Sequence, residues 1–376
     1  MELTLVLLVV VIALTFEYIN GFHDTANSIA TVVATKVLSP GQAVLLAATA
    51  NLIGALAGTA VARTIAAGLI DSNVVAMTPM VLICALLGAV IWNLITWWWG
   101  LPSSSSHALV GGLCGAALAA ASGNWNAIIW AQGGSHWWGD KGVVPKVIVP
   151  MVTSPLGGFI LGLLLMGLLF SLMDWLGSRT GPLQRFGRTR FANSFFGKAQ
   201  IVSASAMGLS HGMNDAQKTM GIIALALAGA TAAGTFDQLP EWLHFLRIPE
   251  DLDHNFEIAV WIKVVCAITM AAGTSAGGWR IIKTLGHKMV KLHPVNGFAA
   301  ESASATVILT CSHFGIPVST THNISAAILG VGVAKRANAI RWTVVERMVW
   351  AWILTLPVSA LLAWLLLELA RVVGLA

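Results

Sequence analysis

Apolar residues run through this chain in blocks long enough to cross a bilayer. No charged residue other than His lies between Asp71 and Asp140, a stretch that holds more than two crossings at about 20 residues each. Similar blocks run from Val37 to Ala62, Val147 to Met173, Ser302 to Ala334 and Met348 to Leu367. The short polar–apolar alternation of a transmembrane β-barrel is missing from them. The pattern predicts an all-α polytopic membrane protein. Its first part has helices at 2–22, resuming after a break at 24–36, then at 41–62 and 77–99, a re-entrant or short helical hairpin near 103–121, and a helix at 147–174. The second has helices at 199–212, resuming after a break at 214–234, then at 258–278, 295–315, 317–333 and 343–373.

Two polar interruptions of this pattern each occur twice. Asn20-Gly21-Phe22-His23-Asp24-Thr25-Ala26-Asn27 returns as His211-Gly212-Met213-Asn214-Asp215-Ala216-Gln217-Lys218. Pro102-Ser103-Ser104-Ser105-Ser106-His107 returns as Pro317-Val318-Ser319-Thr320-Thr321-His322. Asp215 follows Asp24 by 191 positions, while Pro317 follows Pro102, His322 follows His107 and Gly273-Thr274 follows Gly58-Thr59 by 215. The difference of 24 matches an acidic segment at 235–258, so a single insertion explains it. The expected organisation is a first transmembrane repeat at 1–175, a connecting loop at 176–198 and a second repeat at 199–376. An odd number of crossings in each half makes these two inverted-topology repeats, with the interrupted helices meeting near the midplane.

Composition sharpens the picture. The chain is 57% hydrophobic and 10% charged, with a mean hydropathy of +0.79, against about 25% charged for soluble domains. The net charge of +5 is no sign of a nucleic-acid partner, because the basic residues cluster in loops as orientation signals do. Arg179, Arg185, Arg188, Arg190 and Lys198 form one cluster, Arg280, Lys283, Lys288 and Lys291 a second, and Lys335, Arg336, Arg341 and Arg347 a third. All three are expected on the cytoplasmic side. Asp237, Glu241, Glu250, Asp251, Asp253 and Glu257 make 235–258 acidic, which places it outside. Sixteen Trp against a single Tyr, among them Trp97–Trp99, Trp125, Trp130, Trp137 and Trp138, suit helix ends at the lipid–water boundary. Cys84, Cys114, Cys266 and Cys311 stand singly and without metal or redox spacing. Leu3 to Phe16 reads as a retained helix, since it lacks the basic start and small-residue cleavage site of a signal peptide.

Ionisable groups at membrane depth need a functional or pairing reason. Asp24 and Asp215 are candidates for the coupling-ion site, with freed carbonyls beside them; the bland alternative is that they cap the following half-helices. Lys218 takes the slot of Asn27 and lies one turn after Asp215, either beside a bound anion or in a salt bridge to an Asp. Ser104, Ser105 and Ser106, with Ser319, Thr320 and Thr321, are candidate anion ligands. Pro102 and Pro317 suit the first turn of a helix, whose amides would point at the ligand; the alternative is hydrogen bonding within and between helices. His107 and His322 read as neutral hydrogen-bond partners in preference to proton shuttles. Glu17 and Glu301 are further intramembrane acids, coupling or structurally paired.

At these motif pairs the chain resembles the PiT family of inorganic phosphate transporters. Gly212-Met213-Asn214-Asp215 matches the family's Gly-x-Asn-Asp core, and Gly21-Phe22-His23-Asp24 matches with His23 in place of Asn. The resemblance spans about Glu17 to Gly332 and implies a carrier that imports phosphate with a cation, as a homodimer in a bacterial inner membrane. Carried over, it implies that the phosphate and coupling-ion sites hold Asn27, Ser104–Ser106, Asn214 and Ser319–Thr321, expected as substrate ligands, with Asp24 and Asp215 for the coupling ion. The residues themselves add Lys218 as a candidate substrate ligand, and His23 and Glu17 as candidate coupling-ion groups. It implies no resident cofactor: the cation is a proton or, in a sodium-coupled variant held by Asp24 and Asp215, sodium. His23 and Gln217-Lys218 resemble the bacterial branch, which implies proton coupling and phosphate carried as a neutral complex with a divalent metal. A sodium-coupled phosphate or sulfate-like oxyanion symporter and a passive anion channel are the alternatives. A hydrolase and an ATP-driven pump are disfavoured, because no Gly-x-Ser-x-Gly, His-Glu-x-x-His or P-loop pattern is present.

Overall fold

The computed structural model describes residues 2–134, 139–180, 184–248 and 258–375. Their α-helices are α1 (Glu2–Ala34), α2 (Pro40–Ala55), α3 (Ala60–Ala67), α4 (Pro79–Trp99), α5 (Ser105–Ala120), α6 (Val149–Ser178), α7 (Gln184–Gly187), α8 (Thr189–Ala232), α9 (Val260–Ala276), α10 (Trp279–Lys283), α11 (Pro294–His313), α12 (Thr320–Arg336) and α13 (Trp342–Val372). Four segments are long and apolar enough to cross a membrane by themselves: α1, α4, α13, and α6 with the turn before it.

The breaks expected around His23 and Met213 do not exist. Helices α1 and α8 run unbroken through both motifs. The glycines there answer to a neighbour instead. A Cβ on Gly21 would lie 2.5 Å from Met270 O of α9, and one on Gly212 would lie 2.2 Å from Asn51 O of α2. They permit close helix approach, as small residues do in membrane bundles. The real breaks lie next door: α2 and α3 meet at a bend of 71°, and α9 runs into the helical segment at 279–288 at a bend of 57°.

Three other expectations shift. The segment near 103–121 is a single helix, α5, preceded by extended residues. Its 16 residues span about 24 Å, short of a hydrocarbon core of about 30 Å. Pro102 and Pro317 lie before the helices instead of in their first turns, because Ser104 and Ser319 are the N-caps, each accepting the backbone N–H three residues on. Helix α8 starts at Thr189, inside the expected connector, since Ala192, Phe196 and Gln200 bury one face of it. Glu250, Asp251, Asp253 and Glu257 of the acidic segment, and Trp137 and Trp138, lie outside the described residues.

The elements recur in order. Helices α4 and α5 return as α11 and α12 at an offset of 215, and α6 returns as α13 at an offset of 193. The offset falls back because the first half has a long loop at 121–143 where the second has only a short one after α12. Packing exchanges partners between the copies. Helix α1 lies on α9 and α8 on α2; α5 lies on α13, and α12 on α6. Each short hydroxyl-bearing helix is thus cradled by the last long helix of the other half.

Candidate functional site

Asp24 and Asp215 project from the interiors of α1 and α8 and are 2% and 1% exposed. One ligand-capable atom each of Asp24, His211 and Asp215 lie within 4.8 Å of one another. The two copies of the acidic motif therefore share one interior volume. The N-termini of α5 and α12 point their hydroxyls at the same place, where unpaired helical N–H groups favour an anion.

Around Asp215 the groups interlock. Oδ1 pairs with Lys218 Nζ, while Oδ2 lies 3.1 Å from His211 Nε2 and accepts from Thr320 Oγ1 at 3.1 Å. Lys218 Nζ also donates to Ser106 Oγ, and to Val318 O at 3.0 Å. His211 Nδ1 lies 3.1 Å from Asn51 Oδ1, and Asn51 Nδ2 donates to Thr274 Oγ1 at 2.9 Å. Around Asp24, Oδ1 lies 2.7 Å from His23 Nδ1 and accepts from Thr321 Oγ1 at 3.2 Å. Asn27 Nδ2 joins the clusters by donating to Thr320 and Thr321 at 3.1 and 2.9 Å.

The candidate ligands sort themselves by these contacts. Asn27, Ser106, Lys218, Thr320 and Thr321 meet in the shared cluster. Ser105 is buried beside them, and its hydroxyl has no hydrogen-bond partner among the described residues. Ser104 and Ser319 serve their helices: their Oγ atoms accept from His107 N and His322 N. Replacing either by Ala is expected to cost about 1 kcal/mol, read as a small fall in the unfolding midpoint of detergent-solubilised protein. Asn214 turns to α11 and the loop after it, donating to Ser312 Oγ at 2.8 Å and Ile316 O at 3.3 Å. His23, its repeat counterpart, likewise reaches α4 and the loop after it through Thr96 and Ser103. Glu17 accepts from Thr219, while Glu301 accepts from Thr31, Ser203 and Gln200. His107 and His322 meet each other, ring centroids 4.8 Å apart, and His322 stacks on Trp352 at 4.3 Å. The imidazole of His322 has none of the hydrogen-bond partners expected for it among the described residues.

Two members of the site, Asn51 and Gln217, are given no role in it by the sequence. Asn51 supports His211 across the α2–α8 contact. Gln217 fills the α2–α3 break: its Oε1 accepts from Val61 N at 2.8 Å, and its Nε2 donates to Ala57 O at 3.2 Å. Backbone groups freed at membrane depth need such partners. A polar residue in the apolar run of α2 was the only signal for Asn51; Gln217 stood in the second copy of the acidic motif.

Comparison with known proteins gives a consistent result. The sequence profile of the phosphate transporter family matches residues 20–363. A Mycobacterium tuberculosis protein described as "Probable low-affinity inorganic phosphate transporter" is 44% identical over 374 residues, covering 100% of this chain and 79% of the relative. A Bacillus subtilis protein of the same description is 40% identical over 360 residues, covering 96% and 95%. A solved structure titled "The sodium-dependent phosphate transporter" superimposes with a TM-score of 0.75 at 22% identity, covering 98% of this chain and 99% of that one. At that identity the likeness is one of fold.

Proposed function

Because this chain belongs to the phosphate transporter family, we propose that it imports inorganic phosphate as a secondary transporter coupled to a cation, with protons the favoured coupling ion. It is a multi-pass integral membrane protein. The observation that carries the reading is the convergence of two buried carboxylates with the hydroxyl-bearing N-termini of α5 and α12.

Charge explains the coupling. Two carboxylates and one ammonium leave the cluster with an excess negative charge, the histidines set aside. A phosphate arriving alone meets like charge in a site shielded from water, where repulsion is strong. A cation arriving with it removes that penalty. A proton on a carboxylate or on the phosphate does so, and so does a divalent metal held on the Asp24 side beside the anion, with His211 in reach. Thr320, Thr321, Ser105 and Ser106, with the exposed amides of both helices, are the phosphate ligands in this scheme. Alternating access follows from one half rocking against the other around the shared cluster.

Uptake of labelled phosphate into proteoliposomes, with pH, sodium and divalent ions varied separately, tests the proposal. The expected result is accumulation driven by an inward proton gradient, retained when choline replaces sodium and resistant to excess sulfate. Uptake that persists with every ion gradient collapsed would identify a passive channel. Accumulation only with a sodium gradient would establish sodium symport instead.

A further inference from the structure

The two repeat-related halves of the cluster differ in one charge. The offset of 191 that carries Asp24 onto Asp215 carries Asn27 onto Lys218. The offset of 215 carries Ser106 onto Thr321. In the second-half cluster the Lys218 ammonium sits among a carboxylate oxygen of Asp215, the hydroxyl of Ser106 and the carbonyl of Val318. These are the hard oxygen donors that alkali and alkaline-earth cations take. Lys218 is itself 2% exposed, so water does not replace those contacts. In the first-half cluster the corresponding groups are Asp24, Thr321 and Asn27. Among the described residues no lysine or arginine pairs with Asp24; His23 is its ionisable partner.

We infer that Lys218 is a tethered counter-ion filling one of two repeat-related cation sites, so that a free cation exchanges only at the Asp24 side. The inference rests on the cation-coupled reading above and names what sets its ion requirement. A chain with Asn in both positions would present two open carboxylate–hydroxyl sites and need a further dissolved cation. Lys218→Asn makes that change.

The test compares full-length wild type, Lys218→Asn and Lys218→Asn/Asp215→Asn. Radiolabelled sodium binding is measured without phosphate, and phosphate uptake is measured in sodium and in choline at fixed pH. Lys218→Asn is expected to bind an additional sodium ion per chain, lost again in the double variant. Its uptake should rise on the order of tenfold in sodium over choline, within the usual range of coupling between two ligands. Wild type should show neither effect. No added sodium binding by a monodisperse Lys218→Asn protein overturns the inference. If Lys218→Asn is unstable in choline, Lys218→Gln is examined beside it. Recovery of either variant by sodium supports the tethered-ion role, and failure of both in either salt overturns it. Because sodium binding is read without phosphate, a negative phosphate result for wild type rejects the transport reading and leaves this measurement standing.

Discussion

Asp215→Asn is expected to abolish phosphate uptake, with a loss of at least about 100-fold, and also to destabilise the protein. Removing one partner of a buried ion pair costs about 3–5 kcal/mol, because the other charge is left uncompensated. Here the abandoned charge is Lys218, whose remaining contacts are the neutral Ser106 hydroxyl and Val318 carbonyl. The 3.1 Å contact between Asp215 and His211 weakens as well. Asp24→Asn makes the informative contrast. It strands no lysine, so it should lose uptake to a similar degree while unfolding near the wild-type temperature. Adding Lys218→Met to Asp215→Asn should restore the unfolding midpoint but not the uptake. Proteoliposome uptake and thermal unfolding in detergent, measured on all four proteins, separate the two effects. Normal uptake by Asp24→Asn would remove the carboxylate pair from the mechanism.

The second large effect comes from a residue with no chemistry. Gly212→Val should reduce uptake to background and lower the unfolding temperature by several degrees. Its Cβ alone would stand 2.2 Å from Asn51 O, backbone against backbone, with no flexible side chain to yield. Overpacking of this kind typically costs about 1–3 kcal/mol. The forced separation of α8 from α2 also pulls His211 from Asn51, whose amide oxygen lies 3.1 Å away. A control is available at Gly167, where an added Cβ meets nothing within 4 Å. Gly167→Ala should leave uptake intact and stabilise α6 by up to about 1 kcal/mol. A Gly212→Val protein that unfolds and transports like wild type would contradict the packing described here.

The site was legible in the sequence where it depended on repetition. Asp24 with Asp215, and Ser106 with Thr321, stood out because each has a counterpart, and these residues do converge. The backbone at Gly21 and Gly212 was misread because a mid-helix glycine has two physical uses: it permits a bend, or it permits close contact. Only the position of Met270 and Asn51 distinguishes them. The bends between α2 and α3 and between α9 and α10 gave weaker signals, although Gly58-Thr59 and Gly273-Thr274 lie at or near them. Asn214 illustrates another limit. It is adjacent to Asp215 in sequence, yet successive helical side chains point about 100° apart, and its amide faces Ser312 instead of the carboxylates. Ser104 and Ser319 looked like four neighbouring hydroxyls' equals, but the helix start assigns them to capping.

The exchange of partners between halves bears on whether either half could stand alone. Helix α6 finds its groove on α12, and α13 finds its own on α5. A polypeptide equivalent to a single half would have nowhere to lodge its terminal helix except on a second molecule that supplies the missing groove. Linking the halves in one chain makes that contact intramolecular, so it forms at a high effective concentration whatever the abundance of the protein in the bilayer.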